Sequence, residues 1–249
     1  MPDRQRMKTI AVYSLKGGVG KSTFAVNLAW ASAVLSSRRT LLWDLDPQAA
    51  ATYLLAPAAA ARDAARDVFS KQVDPADLCQ PTAIAGLDLL AADPSLHGLE
   101  RLLFDLGKKK RLARLIENLK KHYERVLLDC PPGLTETAEQ VLKAADILVV
   151  PVVPSPLARK SLDDLVETLV RRGGSHPPIL PVFSMVDRRR KLHVAALESH
   201  PDWPFVTYAS QVEQMGTRRL PLGAYAPQSQ QAAQFAGIWA AIERRLAQS

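Results

Sequence analysis

Eight consecutive residues, Lys16-Gly17-Gly18-Val19-Gly20-Lys21-Ser22-Thr23, constrain this chain more than any other feature. Glycines this dense suit neither a helix interior nor a strand, because each loses more conformational freedom on ordering than any other residue. An apolar run with β-branched members, Thr9-Ile10-Ala11-Val12-Tyr13-Ser14, precedes them, and a helical pattern from Lys21 to Leu35 follows. Strand, glycine loop and helix in that order open a βαβ unit. Such a loop lets successive backbone N–H groups turn inward around phosphate oxygens, and the helix beginning at Lys21 adds its positive end. Lys21 is suited to neutralise the β- and γ-phosphates, Ser22 to place its hydroxyl on Mg²⁺, and Thr23 to donate to the α-phosphate. The common G-x-x-x-x-G-K-[ST] pattern fails only at its first position, where Leu15 stands. A glycine turn without a ligand would not need Lys-Ser at the helix start.

Further strand candidates are Thr40–Trp43, Leu87–Leu90, Arg125–Leu128, Ile147–Val150, Ile179–Phe183 and the weaker Phe205–Thr207. Most are continuous apolar runs, as expected of parallel strands covered on both faces. Helical patterns lie between them at 99–120, 136–144, 158–171 and 192–198, and a last one runs from about Gln230 to Leu246. The alternation predicts an α/β fold, a doubly wound, mostly parallel sheet flanked by helices. With no dividing linker and no repeat, residues 1–249 read as a single domain. A chain 47% hydrophobic and 23% charged is too apolar to be disordered. Two cysteines, Cys79 and Cys130, make no disulfide framework and point to a reducing compartment. Cys130 reads as a small packed residue rather than a nucleophile. The charged N-terminus lacks the apolar region of a secretory signal, and no run approaches 18 apolar residues. The expected location is cytoplasmic.

Two strand ends carry carboxylates. Asp44-Leu45-Asp46-Pro47-Gln48 follows the second strand, and carboxylates at i and i+2 on an extended segment point to one side. At the carboxyl end of a parallel strand they face the crevice where ligands bind. Arg125-Val126-Leu127-Leu128-Asp129-Cys130-Pro131-Pro132-Gly133 is an apolar strand ending in one carboxylate, the arrangement in which Asp129 holds Mg²⁺ directly or through water. Mg-ATP hydrolysis by water is the reaction these parts suit.

Lys16 together with Lys21 resembles the deviant Walker A motif of the ParA/MinD (SIMIBI class) ATPases. The resemblance extends through Asp44-Leu45-Asp46-Pro47-Gln48, the Asp129-Cys130-Pro131-Pro132 segment, Ala144-Ala145-Asp146 with Ile147–Val152, and Ala226-Pro227-Gln228-Ser229 before the last helix. It implies a homodimer on ATP binding, with Lys16 reaching the partner's nucleotide. It also implies Asp44 supporting the magnesium shell, Asp46 positioning the attacking water, and a backbone N–H near Gly133 meeting the γ-phosphate. Ser184, Met185 and Tyr208 fall where family members place the adenine, although Ser184 stands where Thr or Asn is usual. Hydrolysis is expected to be slow until a partner stimulates it. The paired cysteines of the nitrogenase iron protein relatives are missing, and little precedes Thr9, so a small ParA without a site-specific DNA reader is the expected type.

Thirty-two Lys and Arg against 25 Asp and Glu leave a net charge of +7. Small ParA proteins bind DNA non-specifically as ATP dimers, which implies nucleoid association, and candidate contacts are Arg188-Arg189-Arg190-Lys191, Arg218-Arg219 and Arg244-Arg245. A ParB-like or other adaptor is the implied activating and cargo partner. The alternatives are an orphan ParA that positions a protein complex (chemosensory, cellulose or secretion type) and a MinD-like membrane-associated regulator. For the latter, the stripe Phe235, Ile238, Trp239, Ile242 and Leu246 would be the anchor, although such spacing also suits a core. Two stretches have other readings: alanine-rich Ala49–Ala65 as a surface helix, and Lys108-Lys109-Lys110-Arg111 as a solvated helix face.

Overall fold

β-branched and leucine-rich runs bounded by turn residues form the strands, and in a computed structural model they lie side by side in one eight-stranded sheet. The structure describes residues 7–56, 64–70, 72–106, 110–171 and 176–248. In chain order the first elements are β1 (Lys8–Val12), α1 (Lys21–Trp30), β2 (Thr40–Asp44), α2 (Ala50–Leu55), α3 (Ala64–Ser70), β3 (Gln80–Pro81) and β4 (Leu87–Leu90). Then come α4 (Leu99–Leu106), α5 (Arg111–Asn118), β5 (Arg125–Asp129), α6 (Glu136–Ala144), β6 (Ile147–Val152) and α7 (Pro156–Arg171). The chain ends with β7 (Ile179–Val186), α8 (Lys191–Ser199), β8 (Phe205–Thr207), α9 (Ser210–Glu213), α10 (Met215–Arg218), α11 (Leu222–Tyr225) and α12 (Gln230–Ala247). The last turns of the first helix widen into a π-helical stretch, Ala31–Leu35, in which Ser36 N–H bonds Ala31 O.

The strand order is β3-β4-β2-β5-β1-β6-β7-β8, with only the short β3 antiparallel to its neighbour. Every residue of β2, β5 and β6 is buried, as continuous apolar runs require. Alternate residues serve two cores. Ile10, Val12, Leu42, Leu127 and Val149 meet α1, α2 and α12 on one face, and Ala11, Leu41, Trp43, Leu128 and Leu148 meet α3 to α7 on the other. The stripe Phe235, Ile238, Trp239, Ile242 and Leu246 is buried in the first of these cores, so α12 offers no apolar face to a membrane. Among the described residues no helix is long and apolar enough to cross one.

Three expectations need correction. The single helix at 99–120 is two helices, α4 and α5, followed by a 3₁₀ turn at Leu119–Lys121. Lys108 and Lys109 lie outside the described residues, but Arg111 is not on a solvated face: it is 2% exposed. Its Nε and Nη2 donate to Phe69 O and Val68 O at 2.8 and 3.2 Å, satisfying carbonyls in the last turn of α3. Where it is described, at α2, the alanine-rich stretch does not lie as a surface helix either. Its described part, α2, buries Ala51, Thr52, Leu54 and Leu55 beside α1; residues 57–63 lie outside the description.

Close packing also fixes Gly223. A Cβ built there would stand 2.3 Å from the Trp30 ring. Gly223→Ala is therefore expected to destabilise the protein by about 1–3 kcal/mol, the usual cost of overpacking, read as a lower urea midpoint with an unchanged slope.

Candidate functional site

Parallel register brings the chemistry together. Val12, the last residue of β1, pairs with Asp129 of β5, and Asp44 of β2 pairs with the same Asp129. The glycine loop and both carboxylate-bearing strand ends thus emerge side by side at the carboxyl edge of the sheet. Gly20 caps α1 with φ +91° and no side-chain acceptor, so the first N–H groups of the helix are left to an anion. A left-handed φ admits glycine readily, and a Cβ at Gly20 would also press within 3.3 Å of Ser184 Oγ. The two lysines differ sharply. Lys21 is 6% exposed at the start of α1, whereas Lys16 stands out on the loop with Gly17 and Gly18; Val19 is buried, and Ser22 and Thr23 are half-buried.

Asp129 is fully buried, and neither carboxylate oxygen has a hydrogen-bond partner of normal geometry. Burial first, then the charge of Asp44, push its pKa well above the carboxylate range; the Ser22 hydroxyl and the Lys21 ammonium pull the other way. Asp44 is better satisfied. It accepts from Asp46 N–H at 3.1 Å and, through Oδ2, from Thr52 N–H and Thr52 Oγ1–H, both at 2.8 Å. Burial nevertheless raises it to about 6 against those donors. Asp46 is buried and accepts Gln48 N–H at 2.9 Å. The charges of both Asp44 and Asp46 add to the upward shift of Asp129.

These residues fit Mg²⁺ carried by a nucleotide. A buried carboxylate without partners, beside a serine hydroxyl and a lysine, is a donor set completed by a cation and its phosphates. Among the described residues no group of three or more His, Cys, Asp or Glu could hold a metal unaided.

A cavity of about 150 Å³ opens beside Gly20, lined among others by Thr23, Ser184, Met185, Tyr208, Val212 and Phe235. The three residues assigned to a base from sequence therefore meet at one hollow next to the phosphate loop. Met185 takes a left-handed φ of +56°, and the Tyr208 hydroxyl donates to Glu213. Phe24 and Phe235 form its floor edge-to-face, with centroids 5.1 Å apart. Sequence reading missed Phe235 here, having assigned it only to a stripe on the last helix.

The basic candidates do not share an edge. Arg188, Arg189, Arg190 and Lys191 are all exposed just after β7, at the carboxyl edge. Arg189 makes a two-pronged pair with Asp187, which holds that carboxyl down at about 2, and Arg188 lies over the Phe205 ring. Arg218 stacks on Tyr225, while Arg219 donates to Tyr53 O and Ala56 O at the end of α2. Arg244 and Arg245 follow Glu243, which pairs with Arg125 at the start of β5, so they lie at the opposite edge of the sheet.

Comparison with known proteins gives a consistent picture. An AAA domain family model matches residues 7–173. The sporulation initiation inhibitor protein Soj of Bacillus subtilis is 32% identical over 197 residues, covering 77% of this chain and 78% of Soj. The chromosome partitioning protein ParA of Caulobacter vibrioides is 34% identical over 194 residues, covering 75% and 72%. Among solved structures, the septum site-determining protein MinD of Pyrococcus horikoshii with Mg-ADP has a TM-score of 0.76 over 95% of this chain and 96% of its own, at 21% identity, a likeness of fold.

Proposed function

This chain belongs to the ParA/MinD family of P-loop ATPases, and from that premise we propose that it is a nucleotide-gated dimer that binds DNA non-specifically and segregates or positions a cargo. ATP with Mg²⁺ is the ligand of the site. The observation that supports Mg-ATP as its ligand is Asp129, a buried carboxylate without hydrogen-bond partners, in register with Val12 at the end of the strand that leads into the phosphate loop; the family supports the rest.

When bound, Mg²⁺ neutralises phosphate charge, and Ser22 and Asp129 are the residues that would hold it. The chain does the rest by positioning, as phosphoryl transfer requires. Loop N–H groups and Lys21 grip the β- and γ-phosphates, the Gly20 hollow seats the base, and Thr23 reaches the α-phosphate. Asp46 Oδ1 is occupied by Gln48 N–H, which leaves its second oxygen to orient the attacking water. Lys16, standing clear of its own site, completes the partner's. A ParB-like or other adaptor stimulates slow basal turnover.

Phosphate contacts without base reading suit the exposed turn Arg188, Arg190 and Lys191, with Arg218 nearby in function rather than in sequence. Arg219 is committed to α2 carbonyls and Arg244 and Arg245 face the other edge, so the DNA claim rests on the turn after β7. A gel-shift series with ATP, ADP and no nucleotide at two salt concentrations tests it. ATP-dependent binding that weakens steeply with salt is expected. Arg188→Glu with Arg190→Glu should weaken DNA binding by roughly tenfold or more and leave ATP-driven dimerisation intact. Equal binding in all three nucleotide states would sink the switch.

A further inference from the structure

The loop that leaves Asp129 is Cys130-Pro131-Pro132-Gly133-Leu134-Thr135. Its two prolines donate nothing, so the first backbone donors after Cys130 belong to Gly133 and Leu134. Both ends of this donor pair are tied by side chains from elsewhere in the chain. On one side the Tyr13 hydroxyl donates to Gly133 O at 2.6 Å, across 120 residues of sequence. Tyr13 is wholly buried among Trp43, Leu128, Cys130 and Ala138, so its ring cannot swing away. On the other side, the Glu100 carboxylate of α4 accepts Glu136 N–H at 2.6 Å and Thr137 N–H at 3.2 Å, and Thr135 Oγ1 accepts Ala138 N–H at 3.1 Å. The first three N–H groups of α6 are thereby satisfied.

Gly133 holds φ +91°, a conformation open to glycine and strained for any other residue. Its peptide to Leu134 is trans and planar, so the carbonyl and the following N–H point in opposite directions. Fixing the carbonyl on Tyr13, inside the core, turns the Leu134 N–H away from the core.

We propose that Tyr13 is a positioning residue for ATP hydrolysis: its hydroxyl anchors the Gly133–Leu134 peptide so that the Leu134 N–H is presented to the terminal phosphate. Glu100 serves the same loop from its far end, by fixing where α6 begins. The inference rests on the ATPase reading above and adds to it two residues, Tyr13 and Glu100, that neither touch nucleotide nor belong to the phosphate loop. An N–H aimed at the terminal phosphate meets ATP and not ADP, so the tether acts on turnover and on ATP selectivity rather than on nucleotide binding as such.

Tyr13→Phe tests it, since the ring and its packing are kept and only the hydroxyl is lost. Three readouts are compared with wild type: amide hydrogen exchange of residues 130–138 in the nucleotide-free protein, kcat against KM for ATP, and affinity for ADP against a non-hydrolysable ATP analogue. Faster exchange at 133–138 is expected, with kcat lowered by up to about 10²-fold, as for a displaced transition-state donor. ADP affinity should stay within about twofold, while KM for ATP rises and analogue affinity falls together. Glu100→Ala should move the same readouts in the same direction. Unchanged exchange would overturn the tether, and faster exchange with unchanged kcat would overturn its positioning role. Failure of the ATPase reading has a separate signature: a wild-type chain that binds ATP without turning it over, while the exchange difference persists.

Discussion

Asp129→Asn is expected to make the nucleotide-free protein more stable and the ATPase nearly inactive. The carboxylate is fully buried with neither oxygen hydrogen-bonded, so ionising it in the empty site is costly. An amide of the same shape carries no charge to desolvate, and removing the charge should raise stability by about 1–3 kcal/mol, or roughly 2–12 °C in Tm for a chain of this size. The sign follows from the pKa shifts. Asp44, at about 6, and Asp129, higher than an ordinary carboxylate, are both raised in the folded state. A raised group lends its stability below its unfolded pKa of about 4 and loses it as pH rises through the folded value. The gain from Asp129→Asn should accordingly be largest near pH 7.5 and shrink toward pH 5, measured as the Tm difference from wild type without nucleotide. Turnover should fall by about 10²–10³-fold, the scale for losing one electrostatic element of a preorganised site. Mg-ATP, which stabilises wild type by mass action, should stabilise the variant far less. A variant less stable than wild type at pH 7.5 would show that the carboxylate has a partner in the empty protein. This is stability given up for a charge that the ligand needs.

The sequence pointed to the phosphate loop and the carboxylates because their chemistry is local. Glycines, Lys21 and Ser22 sit on consecutive residues, and Asp44 and Asp129 each close an apolar run whose parallel pairing aligns them. The order of elements likewise follows from alternating patterns along the chain, and the strand candidates agree with the observed strands to within a few residues. What stayed hidden depends on contacts between distant segments. Tyr13 reads as one more apolar strand residue, and only the fold reveals its bond to Gly133. Arg111 looks solvated in a basic run because the carbonyls it caps belong to α3, 42 residues earlier. Thr52 bears on Asp44 only because α2 packs back over the strand end. The helical pattern at 99–120 changes its apolar phase by about half a turn between Leu106 and Leu112, with Gly107 between them, and joining the two stripes passed over that signal. The basic clusters were grouped by type, and the direction of α12 then separated Arg244 and Arg245 from the others.

Lys16→Ala is expected to keep ATP binding, lose ATP-driven dimerisation and lower hydrolysis by about 10²-fold or more, the scale for removing one charged stabiliser of the transferring phosphoryl group. Lys21→Ala should instead lose ATP binding itself. The difference follows from where the two side chains stand. Lys21 is buried at the head of α1 within the electrostatic reach of Asp129. Lys16 is exposed on the loop crest, its backbone N–H held by Ser14 Oγ at 3.3 Å, and its ammonium has no ion pair among the described residues. A lysine that served its own phosphates would be expected inside the cradle with Lys21. One placed outside is free to enter a neighbour's. Mixing the two inactive variants separates the possibilities without any structure of the dimer. In a mixed pair, the Lys16→Ala protomer keeps its own Lys21 and receives Lys16 from its Lys21→Ala partner, so one of the two sites is complete. Activity should then reappear on mixing and follow the abundance of mixed dimers as the ratio is varied. If Lys16 acts within its own chain, neither protomer holds a complete site at any ratio, and the mixture stays as inactive as its parts.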